Sequence, residues 1–278
     1  MGSPSSPTLL RRRLARKLRQ MREHAGLTLA EAGPRLDKKK SALSRVEKGQ
    51  TAADVHLVRT MMDLYNHYEP GLVDLAREAA LPGWWVAYGI RDRGFIGMET
   101  DAATSSELSL MYVPGLLQTE DYMRALFTSN RTRRTKKELE NHVAARLFRQ
   151  RRLTDAAFPL HLHAIIDENV LHRRMSGPEV REPQIRHLME VAELDTVTLQ
   201  VLPNELDWHS GMDGAFTMLE FAEDEDPDLL YVAHVAGALH TEKPEELTES
   251  KITFDDLRST ALSPDDSVTL IRRLAQRG

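Results

Sequence analysis

The chain has 278 residues and a mass of 31.5 kDa, with 41% hydrophobic and 28% charged residues, enough to bury a core and form two domains rather than a disordered or fibrous polymer. Cysteine is absent, which excludes disulfides, iron–sulfur clusters, thiol nucleophiles and cysteine zinc sites, and a cytoplasmic location is expected. The net charge of -5 hides a division: residues 1–59 hold 14 Lys/Arg against 5 Asp/Glu, so a basic head precedes a body that carries the acidic excess.

Residues 1–8 have no apolar run and are expected to form a flexible tail. From Leu9 to Ala25, Leu10, Leu14, Leu18, Met21 and Ala25 recur at steps of three and four, the mark of an amphipathic helix, which Gly26 ends. Thr28 caps a second helix, with Glu31 in the capping-box position, although Gly33-Pro34 predicts that this helix is bent or short. Asp37 is expected to cap a third helix running from about Lys39 to Lys48, with Leu43 and Val46 inward and Gly49 as its left-handed end. Asp54 caps a fourth helix, carrying Val55, Val58, Met61, Met62 and Tyr65, and Pro70 opens a fifth through Ala80.

The texture changes after Leu81-Pro82-Gly83, and the boundary is expected there: a helical domain over 9–81, then a mixed α/β (α+β) domain over 82–278. Strands are predicted at Leu108–Val113, Leu160–Ile166, Thr196–Leu202, Ala215–Phe221 and Leu229–Val235. Helices are predicted near 119–128, 136–155, 179–193, 245–259 and 264–276. The longest apolar stretch, Leu229 to Leu239, is about half the ~20 residues that span a bilayer, so no membrane association is expected.

Two short helices joined by a tight turn, the second basic on its outer face, are the parts of a DNA reader whose second helix lies in the major groove. Packing of Leu43 and Val46 leaves Lys38, Lys39, Lys40, Ser41, Ser44 and Arg45 facing out, with Thr28 at the start of the preceding helix. Lysine and arginine donate to guanine or phosphate, and hydroxyls suit base edges or phosphate oxygens. Residues 9–66 resemble the lambda-repressor-like, Xre-family helix-turn-helix. The resemblance is carried by Leu18-Arg-Gln-Met-Arg-Glu-His-Ala-Gly-Leu-Thr28 and by Leu43-Ser-Arg-Val-Glu-Lys-Gly49. It departs at Leu29, where that family often has a phosphate-binding glutamine, so that contact is not carried over.

The second domain carries Trp84-Trp85, Val113-Pro-Gly-Leu-Leu-Gln-Thr119, Arg149-Gln-Arg-Arg-Leu153 and Asp167-Glu-Asn-Val-Leu171, and with these it resembles the actinobacterial WhiJ-like regulators. That resemblance implies a developmental switch, often encoded beside a small companion protein in an arrangement like a toxin–antitoxin pair. Read from its residues, Val113–Thr119 is structural: Pro114-Gly115 turns, Leu116 and Leu117 anchor, and Thr119 caps a helix.

Catalysis and cofactors are not expected. His161 and His163 share one strand face near Asp167 and His172 without a recognised metal spacing, and Asp207-Trp-His-Ser-Gly211 sets a serine beside a histidine without a nucleophile elbow. The expected partners are a double-stranded DNA operator, a second copy of the chain in a homodimer, and a small acidic companion protein. An antitoxin-like protein with autoregulatory DNA binding is the alternative. For the companion, the candidate surface is Arg131, Arg133, Arg134, Lys136 and Lys137, within a stretch from Arg124 to Arg152 that has ten Lys/Arg and two Glu.

Overall fold

A computed structural model describes residues 6–90, 94–129, 134–173, 175 and 177–276. The chain forms two compact units, Met1–Val86 with Arg91–Asp101, and Ala87–Ile90 with Ala102–Gly278. The seam thus lies a few residues beyond Pro82-Gly83, and a later segment returns to the helical unit.

The helical unit contains α1 (Pro7–His24), α2 (Leu29–Arg35), α3 (Lys40–Glu47), α4 (Val55–Tyr65), α5 (Gly71–Ala79) and α6 (Phe95–Asp101). Leu14, Leu18, Met21, Leu43, Val58, Met61, Met62 and Leu72 form its core, as the three-and-four spacing requires. Asp54 caps α4 by accepting from Leu57 N–H at 2.8 Å, and Gly49 takes the left-handed conformation with φ 67°. Ser6, Pro7 and Thr8 are not part of a tail. Ser6 caps α1, its Oγ donates to Gly97 O at 2.7 Å, and its N–H meets the Asp101 carboxylate at 2.9 Å. A Cβ on Gly97 would lie 2.3 Å from Thr8 Oγ1, so only glycine lets α6 approach α1 this closely. These contacts span more than 90 residues of sequence, which is why local pattern did not show them.

The second unit is α+β, built on a six-stranded sheet in the order β3-β2-β1-β4-β5-β6. Strands β1 (Thr104–Ser109), β2 (His161–Asp167) and β3 (Val197–Leu202) are parallel. They are joined by crossovers containing α7 (Glu120–Ser129) and α8 (Lys136–Gln150), then α9 (Asn169–His172) and α10 (Pro178–Val191). The strands β4 (Phe216–Glu220), β5 (Leu229–His234) and β6 (Gly237–Thr241) continue the sheet antiparallel on the other side of β1. Helix α11 (Pro244–Thr260) lays Leu247, Phe254 and Leu257 on Leu108, Ile165, Leu202, Met218 and Leu230, while α12 (Pro264–Gln276) packs along β3 and α10.

Two strands depart from the sequence reading. The first is not Leu108–Val113 but Thr104–Ser109, a polar segment whose central place in the sheet comes from its ladder bonds to β2 and β4. The strand expected at Leu229–Val235 is present as β5, but the chain then turns at Val235-Ala236, where Val235 is fully exposed, into β6, a strand absent from the sequence reading.

The Val113–Thr119 segment is a polar staple. Gln118 Nε2 donates back to Val113 O (2.6 Å), while its Oε1 accepts from Arg146 of α8 (2.5 Å). Gln150 Nε2 donates to Gln118 O (2.8 Å). Gln184 of α10 donates to Leu117 O and accepts from Thr119 N–H, both at 2.7 Å. Leu116 and Leu117 are buried, and Thr119 caps α7 through Tyr122 N–H. Amides so satisfied tie the Val113–Thr119 segment and the start of α7 to α8 and α10.

On β2, His163 Nε2 meets Gln200 Oε1 at 2.7 Å, and its ring stands edge-on to Phe254. Burial pushes the His163 imidazole below its ordinary value of 6.5, against the opposing effect of the Gln200 bond. The unfolded chain takes up this proton near its ordinary pKa while the folded chain resists it, so stability is complete above that pH and is lost as the pH falls. Denaturant titrations between pH 7.5 and 5.5 should show declining stability, with a shallower decline in His163→Gln; identical slopes would assign the loss elsewhere.

Candidate nucleic-acid interface

The interface begins with what fixes α3. Arg22, in the last turn of α1, holds Glu47 at the end of α3 in a two-pronged pair, Nε to Oε1 and Nη2 to Oε2, both at 2.7 Å. Both side chains are almost fully buried, and Arg22 Nη1 also donates to Leu27 O at 2.7 Å. The Glu47 hydrogen bonds raise the Arg22 pKa above its already high ordinary value, so the guanidinium stays charged. Helix α1, the loop before α2 and the end of α3 are thereby joined at one point.

Helix α2 starts with the predicted capping box. Thr28 N–H donates to Glu31 Oε2 (2.8 Å), and Glu31 N–H donates to Thr28 Oγ1 (3.3 Å). The Thr28 hydroxyl also donates to Glu31 Oε2 (2.7 Å), so its polar capacity is used in the cap. These bonds hold the exposed Glu31 carboxyl below its ordinary pKa. The helix is short, as Gly33-Pro34 predicts, with seven residues. Leu29 is half-buried against the helical core, consistent with its departure from a phosphate-binding role.

The turn into α3 corrects one expectation. Asp37 does not cap α3; it occupies the left-handed region with φ 50°, while Lys39 stands at the cap position without a side-chain bond. The cause is the tightness of the turn: Lys38 N–H donates to Gly33 O at 2.8 Å, and a Cβ on Gly33 would meet Lys38 O at 2.8 Å. Aspartate tolerates this conformation better than most residues.

Leu43 and Val46 of α3 are buried, and Lys38, Lys39, Lys40, Ser41 and Arg45 are exposed, with Ser44 half-buried. Two other cations of the unit are paired, Lys17 with Glu69 at 2.8 Å and Arg77 with Asp74 at 2.6 Å. Among the described residues, no side-chain hydrogen bond or ion pair engages Lys38, Lys39, Lys40 or Arg45. Three consecutive lysines at the positive end of a helix cost some stability, a cost an external polyanion removes.

The other candidates separate. Arg131 and Arg133 lie outside the described residues. Arg134 donates to Phe127 O at 3.1 Å and lies 5.2 Å from the centre of the Phe127 ring, so it is occupied inside the unit. Lys136 and Lys137 are exposed in the first turn of α8, where the Thr135–Glu138 capping box supplies a nearby anion. His161 is exposed while His163 is bound to Gln200, and among the described residues no group of three or more His, Asp or Glu is placed to hold a metal. His209 Nδ1 accepts from Gly211 N–H, whereas Ser210 Oγ donates to Asp256, so the two adjacent residues do not form a nucleophile–base pair.

One feature of the second unit escaped the sequence reading. An open cleft lies beyond the carboxyl ends of β1 and β2, lined by Leu110, Met111, Asp167, Asn169, His172 and Arg173. Its floor is braced by Glu168, which accepts from Asn204 N–H (2.8 Å) and meets His172 Nε2 (2.9 Å). Its only signal in sequence was the Asp167–Leu171 string itself.

Two helices locked across a tight turn, the second presenting unpaired cations, define a helix-turn-helix module and place the chain in the class of DNA-binding regulators. Residues 13–75 match a family described as a helix-turn-helix domain. Residues 92–273, most of the chain, match the family described as a domain of unknown function, DUF5753, and the chain belongs to that family. No curated protein and no solved structure matches it. Among the described residues no helix is long and apolar enough to cross a membrane.

Breaking the Arg22–Glu47 pair leaves a buried charge without its partner, so Glu47→Ala should cost about 3–5 kcal/mol in unfolding experiments. A loss below about 1 kcal/mol, the range of surface pairs, would show that the pair does not hold the unit together.

Proposed function

We propose that this protein is a sequence-specific transcription regulator, a repressor-type switch of the cytoplasm whose α3 enters the major groove of a pseudo-palindromic operator, with two copies of the chain on one site. The observation that carries this reading is the outward face of α3, where Lys39, Lys40, Ser41, Ser44 and Arg45 stand on a helix pinned from behind by Leu43, Val46 and Glu47. Thr28 then serves chiefly by fixing the start of α2, and Lys38 by lying in the turn. Two copies are invoked because one helix reads only a few base pairs, and pairing doubles the base contacts available for discrimination. The resemblance to Xre-type and WhiJ-like regulators supports the same reading and assigns the second unit to control by a ligand or partner. Lys136 and Lys137 are the described part of a surface for an acidic partner.

The operator can be found by chromatin immunoprecipitation with sequencing and then titrated by fluorescence anisotropy at two salt concentrations. Arg45→Ala and Lys40→Ala should each weaken binding without lowering thermal stability. A lost base contact costs about 1–3 kcal/mol and relaxes specificity at one position, whereas a lost phosphate contact weakens all sequences and flattens the salt dependence. Unchanged affinity in both variants would overturn the assignment of α3.

A further inference from the structure

The two edges of the six-stranded sheet are finished differently. At the β3 edge the chain caps itself: Val201 O accepts from Leu262 N–H (2.9 Å), Val201 N–H donates to Ser267 Oγ (3.0 Å), and Val197 N–H donates to Leu194 O (2.9 Å). At the other edge β6 is the terminal strand. The two-residue turn Val235-Ala236 closes on the pair His234 and Gly237, and the alternation of an antiparallel ladder then turns Ala238 N–H and C=O away from β5. Among the described residues, no backbone group outside the sheet bonds to Ala238.

Open edges are ordinarily blocked by proline, charged side chains or a bulge. Gly237-Ala-Leu-His-Thr241 has no proline, lysine or carboxylate, and its register with β5 runs without interruption. Leu239 is 49% exposed beside it. We infer that β6 is a homodimerisation edge, pairing antiparallel with β6 of a second copy about a two-fold axis at Ala238 and joining the two sheets into one of twelve strands.

A second copy fits this edge better than another protein does. Antiparallel pairing of identical strands is self-complementary under a two-fold axis. Centred on Ala238, it sets Ala238 against Ala238 to exchange two main-chain hydrogen bonds. It also lays Leu239 of each copy over Gly237 of the other, where there is no side chain to obstruct it. Only Gly237, Ala238 and Leu239 of each copy overlap as strand in this register, and no like charges face each other there, since none of the three is charged. The dimeric operator reading motivates the choice of occupant, but the edge is tested without DNA, so either reading can fail alone.

A three-residue ladder covers less than the ~800 Å² per partner of a standard stable interface, so the dimer should dissociate in the micromolar range. Sedimentation velocity of the full chain should show a monomer–dimer equilibrium, and Leu239→Lys, which brings two like charges together across the axis, should raise its midpoint at least ~tenfold. The natural chain has no cysteine, so Leu239→Cys provides a single thiol that a short thiol-bridging reagent should capture as a covalent dimer. The same reagent should leave Ile252→Cys, an exposed position on α11, largely uncoupled. Circular dichroism confirms that each variant is folded, and the cross-link decides if Leu239→Lys is not. A chain that stays monomeric up to about 100 µM, well above the micromolar range, would overturn the inference. So would a dimer that neither cross-links through position 239 nor responds to Leu239→Lys.

Discussion

The placement of α3 in the helical unit depends on one buried ion pair. Taking Arg22 and Glu47 out of water is expensive, and the two-pronged geometry with the further bond to Leu27 O is what offsets that cost. The pair fixes the end of α3 relative to α1 in both distance and rotation, and so aims Lys40, Ser41, Ser44 and Arg45. Its field is felt locally: burial first, and then the Glu47 charge, push the Tyr65 hydroxyl up to about 12.

The second unit solves a related problem with amides instead of charges. Gln118, Gln150 and Gln184 each bridge backbone groups that would otherwise be stranded where a strand turns into a helix. The amides themselves need no compensating countercharge, and the Arg146 guanidinium joins them by donating to Gln118 Oε1. The cleft beyond the ends of β1 and β2 lies apart from these bonds and is lined by Met111 and Arg173 among others. Among the described residues, the guanidinium of Arg173 is engaged only by Met111 Sδ, at 3.7 Å, a weak partner for a cation.

What was legible in the sequence was local. The capping box of α2, the Asp54 cap and the Gly49 terminator each involve residues within a few positions, and the inward placement of Leu43 and Val46 marks the outer face of α3 by helical period alone. Asp37 was misread because its conformation is set by the approach of Lys38 to Gly33, not by its affinity for a helix start. Strand β1 was displaced because Ser105, Ser106 and Glu107 look like surface residues, yet a central strand is held by its ladder whatever its side chains. The hairpin of β5 and β6 was missed because Val235-Ala236 has no glycine or asparagine to announce a turn. Arg134 looked available because its hold on Phe127 depends on where α7 ends and α8 begins.

The division of charge bears on how such a regulator discriminates among sites. A uniformly basic protein of this size would adhere to any duplex, because counterion release rewards every phosphate contact regardless of sequence. Here the positive excess is confined to residues 1–59, while the rest of the chain carries the opposite sign. At physiological salt, charges beyond about 8 Å are largely screened, so on the proposed reading Lys38, Lys39 and Lys40 act at contact distance while the acidic remainder contributes little to attraction. Non-specific affinity is thereby held down without weakening the base contacts on which specificity rests. Lowering the salt lengthens the reach of both signs at once, and the acidic residues then oppose the approach that the basic ones promote. On the proposed reading, the balance between specific and non-specific binding is therefore set by the whole chain's charge pattern as well as by the residues at α3.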